Sequence, residues 1–159
     1  MLKEKINEDF KAAFKQKKDD QVSILKMLKA AILIKEKEKQ YQLAKAGKDA
    51  AQAALTDEEI IDTVSSEIKK LRDSLALFEQ GARPDLAQKA KNEISILMVY
   101  LPEQLGEAEV KKLVAQAKAE AAASTIKDMG KVMAILMPKV KGKADPGLVS
   151  RLVKETLQG

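Results

Sequence analysis

Apolar residues recur along most of this chain at helical spacing, and long charged stretches separate them. Ile6, Phe10 and Phe14 fall at steps of four, which predicts a first helix from Leu2 to about Lys17 with all three on its buried face. Lys17-Lys18-Asp19-Asp20 breaks that period and offers an Asp cap, so a second helix is expected from about Gln21 to Ala46. Its first half is broadly apolar, from Val22 through Leu25, Leu28, Ile32 and Ile34, and should be buried on more than one side. Its second half reads Lys35-Glu36-Lys37-Glu38-Lys39-Gln40, which marks a helix leaving the core for solvent. At about 1.5 Å per residue this element approaches 40 Å, so a projecting arm is expected.

Gly47 to Leu55 reads as a loop or frayed Ala-rich turn. Thr56-Asp57-Glu58-Glu59 is a capping box that opens a third helix over about 57–80, with Ile61, Val64, Ile68, Leu71, Leu75 and Phe78 as a seam. The natural partner of that seam is the antiparallel second helix. Gly81 fits the stop, and Arg83-Pro84-Asp85 starts a fourth helix that ends before Pro102. Pro102 to Gly106 is the best internal boundary, dividing the chain into an N-terminal helical part (1–101) and a C-terminal part (102–159). Three shorter helices are expected beyond it, over about Glu107–Ala121, Thr125–Met137 with Ser124 as cap, and 146–158 with Asp145 as cap and Pro146 at the first position. The fold class is therefore all-α: a larger N-terminal part with a long antiparallel hairpin, and a small C-terminal three-helix domain.

Composition supports this and narrows the chemistry. Of 159 residues, 45% are hydrophobic and 33% charged but only 3% aromatic, so the core is aliphatic. Seven Gly and four Pro leave little turn chemistry for a β-sandwich or barrel. The sequence has no His, Cys or Trp, which removes Ser-His-Asp triads, thiol nucleophiles and His- or Cys-ligated metal sites from the options. No cofactor and no metal are expected, and no enzymatic activity. The charged start Met1-Leu2-Lys3-Glu4-Lys5 is unlike a signal peptide, and the longest nearly apolar run, Ile94 to Leu101, is far short of a bilayer span. A cytoplasmic location without membrane contact is the expectation.

The net charge is +5, with 19 basic and 17 acidic residues in 1–100 and 10 basic and 7 acidic in 101–159, so the shorter part carries the greater excess. Pro138 to Pro146 reads as a loop in which Lys139, Lys141 and Lys143 alternate around Gly142, immediately before a helix N-terminus. Free backbone amides, the helix dipole and mobile ammonium groups together outline an anion site. Lys127, Lys131 and Arg151 extend the patch, while Asp145 competes for the same amides. The carboxylates Asp57/Glu58/Glu59 and Glu107/Glu109 read as helix-capping charges. Lys26 and Lys29 read as snorkelling lysines, Tyr41 as a weak stacking candidate, and Phe10, Phe14 and Phe78 as core.

Three stretches, QVSILKMLKAA (21–31), IKKLRDSLALFEQGARPDLAQKAKNEISILMVYLPEQL (68–105) and KDMGKVMAILMPKVKGKADPGLVSRLVKETL (127–157), resemble the GatB/YqeY family, specifically its stand-alone YqeY-like bacterial members. The last stretch is also similar to the C-terminal tail of the B subunit of tRNA-dependent Asp/Glu amidotransferase. That resemblance implies a helical appendage that helps hold tRNA while the amide-transfer chemistry resides in other domains. It implies tRNA, or a tRNA-handling enzyme, as partner. Lys139, Lys141, Gly142, Lys143, Lys131 and Arg151 are the expected RNA-binding residues. Where relatives often carry Arg, this chain has Lys26 and Leu71-Arg72. An Arg fork suits bidentate phosphate contacts better than Lys, which shifts the expected contact toward the C-terminal part. The alternatives are a helical protein–protein adaptor, or a component associated with glutamine-dependent amidotransferase (carbon–nitrogen ligase) activity. None of the chemistry-bearing domains of that enzyme is present.

Overall fold

The computed structural model describes residues 1–159, and the fold is all-helical. It divides into two compact units, Met1–Leu101 and Pro102–Gly159. No helix is long and apolar enough to cross a membrane.

The first unit holds α1 (Leu2–Lys15), α2 (Asp19–Lys45), α3 (Asp57–Gln80) and α4 (Pro84–Met98), with a short 3-10 turn at Ala50–Ala53. Ile24, Leu28 and Ile32 of α2, Ile60, Val64 and Ile68 of α3, Leu97 and Ile6 form its core. In α1 the buried pair is Ile6 and Ala13, while Phe14 is 67% exposed, contrary to the expectation that it is core. Each step of four advances about 40° beyond a full turn, so Phe14 has rotated out of the face that Ile6 defines, whereas a step of seven nearly restores it. Phe10 and Phe78 are only half-buried. In α2 burial is confined to one side: Leu33 and Ile34 stay exposed. Helix α2 begins at Asp19, with Lys18 as an N-cap that makes no side-chain bond, so neither aspartate acts as the cap.

The capping box of α3 forms as read: the Glu59 amide donates to Thr56 Oγ1 at 3.2 Å, and the Thr56 amide donates to Glu59 Oε2 at 2.8 Å. Ile60 and Val64 are fully buried, whereas Ile61 is only half-buried. Helix α3 packs most extensively against α4 and less against α2, so the expected two-helix seam is shared among three helices. The connection beyond α2 is pinned at its return: Ala53 is buried, and Lys39 Nζ donates to the Ala54 carbonyl at 3.2 Å and to Glu59 Oε2 at 2.7 Å.

Four helix ends share one stop. A residue with positive φ (Lys17, Gly47, Ala82 or Ala122) is followed by an amide bonded five residues back: Lys18 to Ala13, Lys48 to Leu43, Arg83 to Phe78 and Ala123 to Lys118. After α3 the left-handed residue is Ala82, at φ 51°, and not the neighbouring Gly81, whose φ is −81°.

The second unit comprises α5 (Glu107–Glu120), α6 (Met129–Val140) and α7 (Pro146–Gln158) around a separate core of Val110, Val114, Val132, Leu136, Val140, Val149, Leu152, Val153 and Leu157. A 3-10 turn at Ile126–Asp128 precedes α6. There Ser124 is not a cap: the amides of Ser124 and Thr125 donate to Asp128 Oδ2 at 3.1 and 3.2 Å. Helix α6 runs through Pro138 to Val140, so Pro138, Lys139 and Val140 are helical rather than part of a loop.

Candidate nucleic-acid interface

The connection between α6 and α7 is thus a short turn, Lys141 to Asp145. Lys141 caps α6, its amide donating to the Met137 carbonyl at 2.9 Å. Gly142 takes φ 71°, the left-handed conformation that reverses the chain there. The amides of Lys143 and Ala144 both donate to the Val140 carbonyl, at 2.9 and 3.1 Å, and the Leu148 amide donates to Asp145 Oδ2 at 3.1 Å. Asp145 and Pro146 therefore start α7 as the sequence suggests, but most of the amides expected to face an anion are engaged internally.

The turn's carbonyls are engaged as well. Gln104 Nε2 donates to the Gly142 carbonyl at 2.7 Å and to the Pro102 carbonyl at 2.8 Å. The adjacent Leu105 amide donates to the Lys143 carbonyl at 2.7 Å. This strap fixes the turn from inside the unit, while the side chains of Lys141 and Lys143 stay exposed. Gln104 was not singled out by sequence; its place two residues after Pro102, in a stretch without regular structure, was the only available signal.

The other expected contacts are dispersed. Lys139 lies in the last turn of α6, with its ammonium 3.2 Å from Glu120 Oε2 at the end of α5. Arg151 on α7 lies 3.7 Å from Glu107 Oε1 at the start of α5, a carboxylate shared with Lys111 at 3.4 Å. Glu107 and Glu120 stand about 20 Å apart along that helix. Lys131 is 72% exposed and 3.6 Å from Asp128 Oδ1. Asp128 is held below the usual carboxylate range, chiefly by the Ser124 and Thr125 amides and further by Lys131. Lys127 belongs to the 3-10 turn before α6. The structure therefore brings together Lys141, Gly142 and Lys143, and disperses Lys139, Lys131 and Arg151 over the unit, each beside a carboxylate.

The profile of the Yqey-like protein family matches residues 3–157. The chain belongs to the YqeY-like family. The match spans both units and includes the Pro102–Gly106 segment. A relative from Pyrenophora tritici-repentis (strain Pt-1C-BFP), Altered inheritance of mitochondria protein 41, mitochondrial, is 25% identical over 156 residues, covering 96% of this chain and 79% of its own length.

In the first unit, Lys29 Nζ sits 4.5 Å over the Phe10 ring and Lys26 is exposed, so neither lysine is desolvated as a nucleophile would need to be. Tyr100 is 5% exposed and its hydroxyl donates to Asp9 Oδ2 at 2.7 Å; burial first, and then Asp9, raise its pKa above the ordinary tyrosine value. Asp9 is correspondingly lowered, first by Lys5 and then by Tyr100. Glu36 is pushed up by burial, but Lys3 and the Leu55 amide outweigh this and hold it low. These groups each have a structural partner that accounts for them. Tyr41, in contrast, is 66% exposed near the end of α2.

Proposed function

We propose that this YqeY-like protein is a non-enzymatic tRNA-binding accessory module, comparable to the C-terminal tail of the amidotransferase B subunit, in which the α6–α7 turn contacts phosphates. The observation that supports this reading is the polarity of the turn. The carbonyls of Gly142 and Lys143, which would repel a phosphate, are directed inward to Gln104 and Leu105, while Lys141 and Lys143 are exposed residues that put two positive charges on the turn's outer side. A turn held in this way meets the backbone with little ordering cost. Contacts of this kind position the protein and carry no base sequence, so discrimination rests on tRNA shape.

Acting in the cytoplasm, alone or beside a tRNA-handling enzyme, the module needs no cofactor, and amide transfer belongs to its partners. The decisive experiment compares tRNA binding by the full chain and by the variant with Lys139, Lys141 and Lys143 all replaced by Ala, over a salt series. The slope of log affinity against log salt should fall by up to about two units, with Lys139 contributing least because Glu120 already neutralises it. A folded triple variant with unchanged affinity and slope refutes the assignment.

A further inference from the structure

Helices α1 and α2 run antiparallel, since Lys3 pairs with Glu36 while Phe10 lies under Lys29. Between them is a groove of about 290 Å³ lined by Lys3, Ile6, Asn7, Lys29, Ala30 and Leu33, among others. Its rims carry apolar surface that the fold leaves uncovered. Leu33 is 55% exposed, and Phe14, 67% exposed, stacks on the half-buried Phe10 with ring centroids 6.4 Å apart. Around the back of α2 the apolar surface continues to Ile34, 58% exposed.

Lysines predominate on this face, and the one carboxylate lining the groove, Glu36, is paired with Lys3. Lys26, Lys29 and Lys37 recur beside Leu33 at helical spacing, and Lys3 stands on the α1 side. Between Gln21 and Lys45 there are only two carboxylates, and both are occupied: Glu36 by Lys3 and the Leu55 amide, Glu38 by Lys35 at 2.8 Å on the edge facing α3. An exposed apolar groove with Lys3, Lys26, Lys29 and Lys37 about it, its one lining carboxylate already paired, is complementary to a segment that is itself apolar on one face and acidic on its flanks.

We infer that the α1–α2 groove is a docking site for an acidic amphipathic helix of a partner protein. Nucleic acid would satisfy the lysines but leave Phe14, Leu33 and Ile34 in water. A bilayer surface would take up Phe14 and Ile34 on the outer edges but leave the concave slot between α1 and α2 unfilled. A second copy of the same face would set lysines against lysines. Lys26 and Lys37 are about 16 Å apart along α2, so an incoming helix of four to five turns covers both.

The test uses fluorescence anisotropy with the full chain and three synthetic peptides of about 18 residues. One places Leu at i, i+3, i+4 and i+7 with Glu elsewhere, one replaces every Glu by Lys, and one scrambles the acidic sequence. The acidic amphipathic peptide should bind at least about tenfold tighter than either control. Leu33→Glu and, separately, Lys26→Glu with Lys37→Glu should each weaken it by about tenfold or more. All three positions are exposed, so circular dichroism and melting should match the parent. Neither variant should alter tRNA affinity, which separates this site from the α6–α7 turn. Equal binding of the three peptides, or affinity unchanged in both folded variants, overturns the inference. So does loss of tRNA or phosphatidylserine-vesicle binding in Leu33→Glu with peptide binding retained.

Discussion

Replacing Gln104 by Met keeps the side chain's length and volume but removes the amide that donates to Gly142 at 2.7 Å and Pro102 at 2.8 Å. A neutral hydrogen bond contributes about 0.5–1.5 kcal/mol net, and both bonds are part-buried, so water recovers some of the loss at each carbonyl. The expected cost is therefore about 1–2 kcal/mol, felt first as local opening of the α6–α7 turn. Hydrogen exchange at the Leu105 amide, which donates to Lys143 at 2.7 Å beside the altered residue, should speed up about tenfold. Amides in the core of the first unit, such as that of Leu28, should be unaffected. The same variant separates positioning from charge. It removes no cation, so tRNA affinity should fall several-fold while the salt slope stays that of the parent. Unchanged protection at Leu105 would show that the strap does not hold the turn. Unchanged tRNA affinity despite faster exchange at Leu105 would show that the turn's geometry is irrelevant to binding.

Tyr100→Phe should cost about 1.5–3 kcal/mol at neutral pH, because the lost bond ends on a carboxylate. The folded state raises the Tyr100 pKa, so this contribution is full below the unfolded value of about 10 and is lost as pH rises past it. Melting temperature should therefore decline more steeply above pH 10 in the parent than in the variant, and parallel declines would contradict the assignment. Trypsin should cut first after Lys45 or Lys48, where α2 ends and Gly47 reverses the chain at φ 68°. A first cut in the pinned segment from Ala50 to Leu55, obtained with a less selective protease, would refute that boundary.

Where local chemistry settles a boundary, the sequence was enough. The Thr56–Glu59 box placed the start of α3, and Asp145-Pro146 placed the start of α7, since each is satisfied within a few residues of chain. Errors arose where distant packing decides. Pro138 looked like the beginning of a loop, but Val132, Leu136 and Val140 share one buried face, and that packing carries α6 past a proline in its last turn. The loop reading had supplied the alternating lysines with free amides; the helix takes Lys139 away from the turn and uses most of those amides. Similarly, Phe14 was assigned inward from a period of four that drifts around the helix. Its outward position contributes to the docking face inferred on α1 and α2. The role of Gln104 depends on carbonyls 38 residues away in sequence, which no local pattern encodes.

The repeated helix stop has a consequence for how much thermal margin the chain leaves unused. At three of the four, the left-handed position holds Lys17, Ala82 or Ala122 instead of glycine, and each bears the steric conflict between its Cβ and the adjoining peptide, on the order of 1 kcal/mol. All three are connectors outside both hydrophobic cores and outside the residues assigned here to recognition. The molecule thus carries adjustable strain in its joints rather than in its working surfaces. A lineage meeting higher temperature has three single-residue routes to greater stability that disturb neither the lysine turn nor the α1–α2 groove.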